Sequence, residues 1–289
     1  MAQLIDGKAI ATTVRAQVAQ EARELRAGRG VVPGLAVVRV GEDPASRIYV
    51  TSKRKAAEEA GFNAWEHHFE ATVSQAQILD QIRKLNENAA VHGVLVQLPL
   101  PRHVNAEEVI FSVLPEKDVD GFHPINAGNL FLGRDGVKPC TPLGIMRLLE
   151  EIHFDPAGKR AVVVGRSNIV GKPIAMLLLS ANATVAICHR KSQLEQEVGQ
   201  ADLLVVAVGV AELVKGRWIK PGAVVIDVGM NRNAAGKLVG DVEFSVASQR
   251  ASFITPVPGG VGPMTVAMLM RNTLRAAERA ASFQPNRAG

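Results

Sequence analysis

The 289-residue sequence holds very little cysteine and almost no tyrosine: Cys140 and Cys188 are its only cysteines and Tyr49 its one tyrosine. Neither cysteine belongs to a Cys-x-x-Cys motif, so no disulfide framework is expected and a reducing compartment is the natural setting. Zinc-ligand spacing is absent too. His67 and His68 are neighbours on an expected strand, which points them to opposite faces and away from a shared metal. No apolar run approaches the roughly 18–20 residues of a membrane span. The first residues, Met1 to Lys8, show no basic segment followed by an apolar one, so secretion is not indicated and a cytoplasmic protein is expected. The net charge of +5 is dispersed, with no Lys/Arg-rich run and interleaved aromatics. That pattern suits small anions and a dinucleotide phosphate better than nucleic acid. Hydrophobic residues at 47% against 21% charged leave enough apolar surface for packed cores, and the length allows two domains.

What the sequence does have is short β-branched runs alternating with amphipathic stretches, the pattern of an α/β architecture with largely parallel sheets. Leu35–Val40 reads as a buried strand. Residues 45–60 read as a helix opened by Asp43-Pro44 and stopped by Gly61, and 74–88 as a second helix with Ser74 at its N-cap. Gly93–Leu98 is a strand that runs into Pro99-Leu100-Pro101, where the prolines end sheet pairing. From Pro115 to Pro142 Gly, Pro, Asp and Asn abound, which predicts loops near a domain junction. A second α/β cycle opens at Ala161–Gly165, with strands over 184–188, 203–207 and 223–228. The loop Thr255–Pro263 precedes a last helix over 264–281. The chain is thus divided into residues 1–121 and 122–289, with that last helix expected to pack back on the first part.

The strand Ala161–Val164 meets Gly165-Arg166-Ser167-Asn168-Ile169-Val170-Gly171 and then a helix. Strand, glycine turn and helix N-terminus form the unit that holds a pyrophosphate on free backbone N–H groups. Ser167 stands where the G-x-G-x-x-G pattern has its second glycine, so the phosphates sit differently or use the hydroxyl. A packing turn without a nucleotide would look similar. The next strand ends in Cys188-His189-Arg190-Lys191-Ser192, with no acid to bond a ribose 2′-hydroxyl. An acid would repel a 2′-phosphate, whereas Arg190 can grip one, which favours NADP over NAD.

Ser46, Tyr49 and Lys53 share one face of the first helix. A tyrosine offers a flat apolar plate with a polar tip, and a desolvated lysine beside it becomes a usable base or proton donor. A plain surface contact, with the lysine stem over the ring, fits the same spacing. Gln97 precedes a strand exit, where ligands of α/β sheets bind. Asp120, before Gly121, suits either a ligand contact or an Asx-turn. The Pro258–Pro263 stretch mixes stiff and permissive backbone, which suits close approach to a ligand or a simple turn.

Five blocks, Ser46–Lys53, Gly93–Pro101, Pro115–Gly121, Gly165–Pro173 and Thr255–Thr265, taken in order over nearly the whole chain, closely resemble the bifunctional methylenetetrahydrofolate dehydrogenase/methenyltetrahydrofolate cyclohydrolase family. The resemblance implies two α/β domains, the second a Rossmann-like NADP-binding domain, with a tetrahydrofolate cleft between them and a homodimer built through the nucleotide domain. It implies Tyr49 as the ring stacked on the folate, Lys53 as the catalytic lysine, Gln97 as its hydrogen-bond partner and Asp120 as the carboxylate that grips the pterin. Val96, Leu98, Pro258, Gly259 and Gly262 would contact the substrate. Gly165, Arg166, Ser167, Arg190 and Met230 would contact NADP, and no metal would take part. Two rivals remain at this stage. Another NADP dehydrogenase acting on a small hydroxy or keto acid shares the glycine turn but leaves the Tyr49–Lys53 helix unexplained. A non-catalytic nucleotide-binding protein would have no use for Lys53.

Overall fold

The computed structural model describes residues 1–283, apart from the side chains of Pro44, Ala45, Ser46, Ile48, Tyr49 and Phe283. A two-residue strand β1 (Gln3–Leu4) and the long helix α1 (Gly7–Arg29) come first. Leu35-Ala36-Val37-Val38 is apolar at every position, as a parallel strand covered on both faces must be. It lies in β2 (Gly34–Val40), all of which is buried. Helix α2 (Pro44–Glu59) leads to β3 (Asn63–Phe69), and α3 (Gln75–Glu87) leads to β4 (Gly93–Val96). The three strands form a parallel sheet in the order β3-β2-β4. Helix α3 starts where Ser74 predicts: Ser74 Oγ accepts from Gln77 N, and Gln77 Oε1 accepts from Ser74 N. The reciprocal pair satisfies two donors that a helix end otherwise leaves open. β4 stops at Val96, short of the expected Leu98. Only Gln97 N prolongs the ladder, to Val38 O at 2.9 Å, because Pro99 has no N–H to continue it.

Helices α4 (Ala106–Phe111), α5 (Pro124–Phe131) and α6 (Cys140–Glu151) follow. The second sheet is built from β5 (Arg160–Val164), β6 (Thr184–Cys188), β7 (Leu203–Val206), β8 (Val224–Asp227) and β11 (Phe253–Ile254), with β1 at one edge. Its helices are α7 (Gly171–Ser180), α8 (Leu194–Val198) and α9 (Phe244–Arg250), and a short hairpin pairs β9 (Asn231–Arg232) with β10 (Leu238–Val239). All pairings in the order β1-β11-β8-β7-β5-β6 are parallel. From β5 the chain steps outward to β6 on one side and to β7 and β8 on the other. That reversal opens a crevice at the carboxyl ends of β5 and β7, where open α/β sheets take their ligands. Val162, Val164, Leu204, Val206 and Val225 are fully buried in the core behind it. The α/β class and the parallel sheets are as the sequence indicates.

The chain forms two compact units, one of Met1–Ala11 with Thr141–Thr265, the other of Thr12–Cys140 with the chain from Val266 onward. They are called here the six-stranded and the three-stranded unit. The expected boundary at residue 121 differs from this division, for a local reason. Asp118 Oδ2 accepts from His123 N at 2.8 Å and from Asn126 Nδ2 at 2.9 Å, and Asn126 Nδ2 also reaches Pro115 O. These bonds tie 122–140 to the three-stranded unit, and the expected loop contains the helix α5. The last helix, α10 (Val261–Phe283), starts three residues earlier than predicted. Within the three-stranded unit its Arg271 pairs with Glu21, and Asn272 Nδ2 donates to Val119 O at 2.9 Å.

Candidate active site

In the three-stranded unit the chemistry gathers at the carboxyl ends of β2 and β4. Lys53, in the third turn of α2, is only 9% exposed. Its Nζ donates to Gln97 Oε1 at 3.0 Å, and Gln97 Nε2 in turn donates to Leu98 O at 2.8 Å. The second bond fixes which end of the amide faces the lysine, so Gln97 presents an acceptor to an ammonium. Val96 is buried, Gln97 and Leu98 half-buried. The side chain of Tyr49 lies outside the described residues, so its expected stacking role has no geometry here.

Asp118 and Asp120 divide two tasks that the sequence leaves open. Asp118 is 4% exposed, and its Oδ1 accepts from Gly121 N at 3.0 Å. The turn role therefore falls to Asp118. Gly121 has φ of +75°, and a Cβ there would lie 2.7 Å from the Lys138 carbonyl carbon, so glycine is required. Asp120 is half-buried, with Lys53 near enough to act on its charge. Burial pushes its carboxyl up to about 6; Lys53 pulls the other way and Asp118 pushes up further. A cavity of about 10 Å³, room for one water, is lined by Asp118, Asp120, Val94 and Val96 among others. Burial also raises the thiol of Cys140, with Asp120 the next cause. Lys53, Gln97 and Asp120 are thus brought together: a buried lysine, its neutral acceptor and a carboxyl group raised by burial.

The six-stranded unit supplies the glycine turn. Gly165 has φ of +129°, and a Cβ there would stand 2.2 Å from Ala207 O; one on Gly171 would stand 2.2 Å from Gly165 O. No side chain fits at either place, because the β7 loop and the turn itself pack backbone against backbone there. Ser167 Oγ accepts from Val170 N at 3.2 Å and from Gly171 N at 3.3 Å, which caps α7. Its hydroxyl hydrogen remains to be donated. Arg166, Arg190 and Lys191 are exposed. The turn that presents Arg190 is held by His189 N, which donates to Ser192 Oγ at 3.0 Å. Met230 is 45% exposed, and its Cε would lie 3.2 Å from a Cβ on Gly262. The structure so places a predicted cofactor contact against a predicted substrate contact. Pro258 is exposed and Gly259 has φ of +107°. Among the described residues, no group of three or more His, Cys, Asp or Glu could hold a metal ion.

A family profile described as the catalytic domain of tetrahydrofolate dehydrogenase/cyclohydrolase matches residues 5–120, and the NAD(P)-binding domain of the same family matches 139–281. The chain belongs to the tetrahydrofolate dehydrogenase/cyclohydrolase family. It is 69% identical over 278 residues to the bifunctional protein FolD 2 of Myxococcus xanthus, covering 96% of each chain. Among solved structures, the bifunctional methylenetetrahydrofolate dehydrogenase/cyclohydrolase FolD of Campylobacter jejuni is 47% identical, with a TM-score of 0.94 over 96% of this chain and 99% of that one. The Trypanosoma brucei enzyme, complexed with NADP cofactor and an inhibitor, is 41% identical with a TM-score of 0.92 over 96% and 98%. The family read from the five sequence blocks is thereby established, and the hydroxy-acid dehydrogenase and the non-catalytic protein fall away. Sequence reasoning passed over two residues that the structure makes prominent. Asp227 and Asp241 are 3% and 0% exposed at the carboxyl ends of the six-stranded sheet. Asp241 takes its loop partners from more than 30 residues away, so its only local trace in the sequence is the preceding Gly240.

Proposed function

We propose that this member of the family oxidises 5,10-methylenetetrahydrofolate to the 5,10-methenyl form with NADP, and then hydrolyses that product to 10-formyltetrahydrofolate, with Lys53, Gln97 and Asp120 at the centre of the chemistry. NADP, when bound, supplies the hydride acceptor. The observation that carries the assignment of residues is the buried Lys53–Gln97 bond beside Asp120. Hydride loss leaves a cation and needs orientation but no obligatory base. Hydration and ring opening need proton traffic, and an amine held by a neutral acceptor, facing a half-desolvated carboxylate, can supply it. Asp120, with its turn duty taken by Asp118, is left to accept hydrogen bonds from the amino and ring N–H groups of a pterin. Tyr49, Val96, Leu98, Pro258, Gly259 and Gly262 are proposed to contact the substrate.

The nucleotide is assigned to the Gly165 turn, at the N-terminus of α7 where a helix end favours a pyrophosphate, with Arg166, Ser167 and Met230 as contacts and Arg190 on the 2′-phosphate. A cytoplasmic homodimer completes the proposal. Two buried free cysteines fit a reducing compartment. β6 is an edge strand, and Ile187 on it is 39% exposed with Leu179 nearby at 55%, a row of unpaired backbone and apolar surface that a second copy would cover.

Lys53→Met tests the central assignment. It keeps the apolar stem and deletes the amine. Cyclohydrolase activity should fall to near background, while dehydrogenase activity falls by a smaller factor and both ligands still bind. Both activities are measured on one preparation, and unchanged cyclohydrolase turnover would return Lys53 to a structural role.

A further inference from the structure

The loop that follows β7 is wrapped around a single carboxylate. Val208 N and Gly209 N donate to Asp241 Oδ2 at 2.7 and 3.0 Å, and Val210 N donates to Asp241 Oδ1 at 2.9 Å. Gly209, with φ of +67°, lets three successive N–H groups converge in this way. Such a concavity of backbone donors is an anion site, and here the anion is the protein's own side chain. Asn231 Nδ2 adds a fourth donor, at 2.8 Å from Oδ1. Asp241 is itself held from behind: its N–H donates to Asp227 Oδ1 at 2.9 Å, and that oxygen also takes Gly229 N at 2.9 Å. Asp227 Oδ2 takes Val242 N at 2.9 Å. Space is tight on both sides, since a Cβ on Gly229 would meet Asp241 Oδ1 at 2.3 Å and one on Gly240 would meet Asp227 Oδ2 at 1.8 Å.

One peptide unit links this arrangement to the glycine turn. In a trans peptide the N–H and C=O point in opposite directions. The N–H of Val208 goes to Asp241, so the carbonyl of the same peptide, Ala207 O, is driven the other way, against Gly165. Ala207 N is meanwhile fixed to Val164 O at 2.8 Å. The distance between the β7 loop and the glycine turn is therefore set by a carboxylate that lies outside the nucleotide motif.

We propose that Asp241, backed by Asp227, is a positioning residue for the dehydrogenase step: it fixes the wall of the nucleotide site opposite Gly165 without touching the cofactor itself. The inference rests on the placement of NADP at the Gly165 turn. It predicts a split between the two activities, because hydrolysis of the methenyl substrate uses no nucleotide.

Asp241→Asn keeps the size but turns an NH₂ toward backbone donors. The KM for NADP⁺ should rise and dehydrogenase kcat should fall, each about tenfold, as expected when a buried acceptor of charge-assisted bonds is lost. Cyclohydrolase activity, measured on the same preparation with methenyltetrahydrofolate alone, should stay within about twofold. Equal loss of both activities would show a merely structural residue, and an unchanged dehydrogenase would overturn the proposal outright. If Asp241→Asn does not yield folded protein, Asn231→Ala removes one donor from the same carboxylate. It should give the same split at about threefold, and no split would again refute the idea. Gly165→Ala serves as the control on placement. If that variant binds NADP⁺ normally, the nucleotide does not lie on this turn and the proposal falls with that reading.

Discussion

Burial makes Asp120 a different acid from the exposed aspartates of the same chain. Its carboxyl is raised from an ordinary value of 3.8 to about 6, chiefly by loss of water. The neutral form is thus the one the fold favours. The stabilisation this gives is complete below about pH 4 and is lost as pH rises through about 6. Above that point the fold carries an ionised carboxylate at a cost on the order of 2 kcal/mol. Asp120→Asn removes the titration. Its unfolding free energy should gain on that of the parent by about 2 kcal/mol between pH 4 and pH 7.5 in denaturant titrations. Both activities should collapse in the same variant, since an amide turns donors toward the pterin. A difference in stability that stays flat with pH would mean that Asp120 is hydrated in the folded protein. The identity of this residue was legible because it precedes a glycine in a recognisable block. Its separation from Asp118 was not, since which of two aspartates closes the turn depends on where Gly121, His123 and Asn126 end up.

Elements whose ends are written in local chemistry were the legible ones. Ser74 and Gln77 announce α3, and the apolar runs announce β2, β5 and β7. Helix α5 was hidden because Pro124-Ile125-Asn126-Ala127-Gly128-Asn129 has the composition of a loop and its cap is a histidine: His123 Nδ1 accepts from Ile125 N at 3.1 Å. The start of α10 was misplaced because Gly262 and Pro263 read as a turn, although proline is tolerated in a first helical turn. The end of β6 is legible in another sense, since no acid follows it. The turn held by His189 and Ser192 presents Arg190 to solvent where an acid would bond a ribose hydroxyl. Arg190→Ala should weaken NADP⁺ roughly ten- to a hundredfold, the worth of a charge-assisted phosphate contact, and leave NAD⁺ nearly unchanged. Equal losses for both cofactors, measured by steady-state kinetics, would move the phosphate contact to Arg166.

For the whole molecule, the α/β class and the family could be read from one sequence, but the course of the chain through its two units could not. The units exchange chain inside α1, at the start of α6 and inside α10. Gly136–Pro142 and Gly259–Pro263 flank the second and third of these points, but the first falls within an uninterrupted helix that carries no mark of a boundary. Assembly is a property of the same scale. If the edge of β6 is the dimer surface, Ile187→Lys puts a charge into it and should yield a monomer in sedimentation velocity at micromolar concentration. A variant that still sediments as a dimer would place the interface elsewhere.

The carboxylate inside the β7 loop has one more consequence. Amide protons in a loop ordinarily exchange with solvent deuterium quickly, because nothing holds them. Those of Val208, Gly209 and Val210 are bonded to the fully buried Asp241 and should exchange as slowly as strand amides, before any nucleotide arrives. A segment already ordered gives up little conformational entropy on binding. With NADP placed at the Gly165 turn as proposed, one wall of its site is set in advance, and the freedom that remains to be lost lies with the exposed arginines.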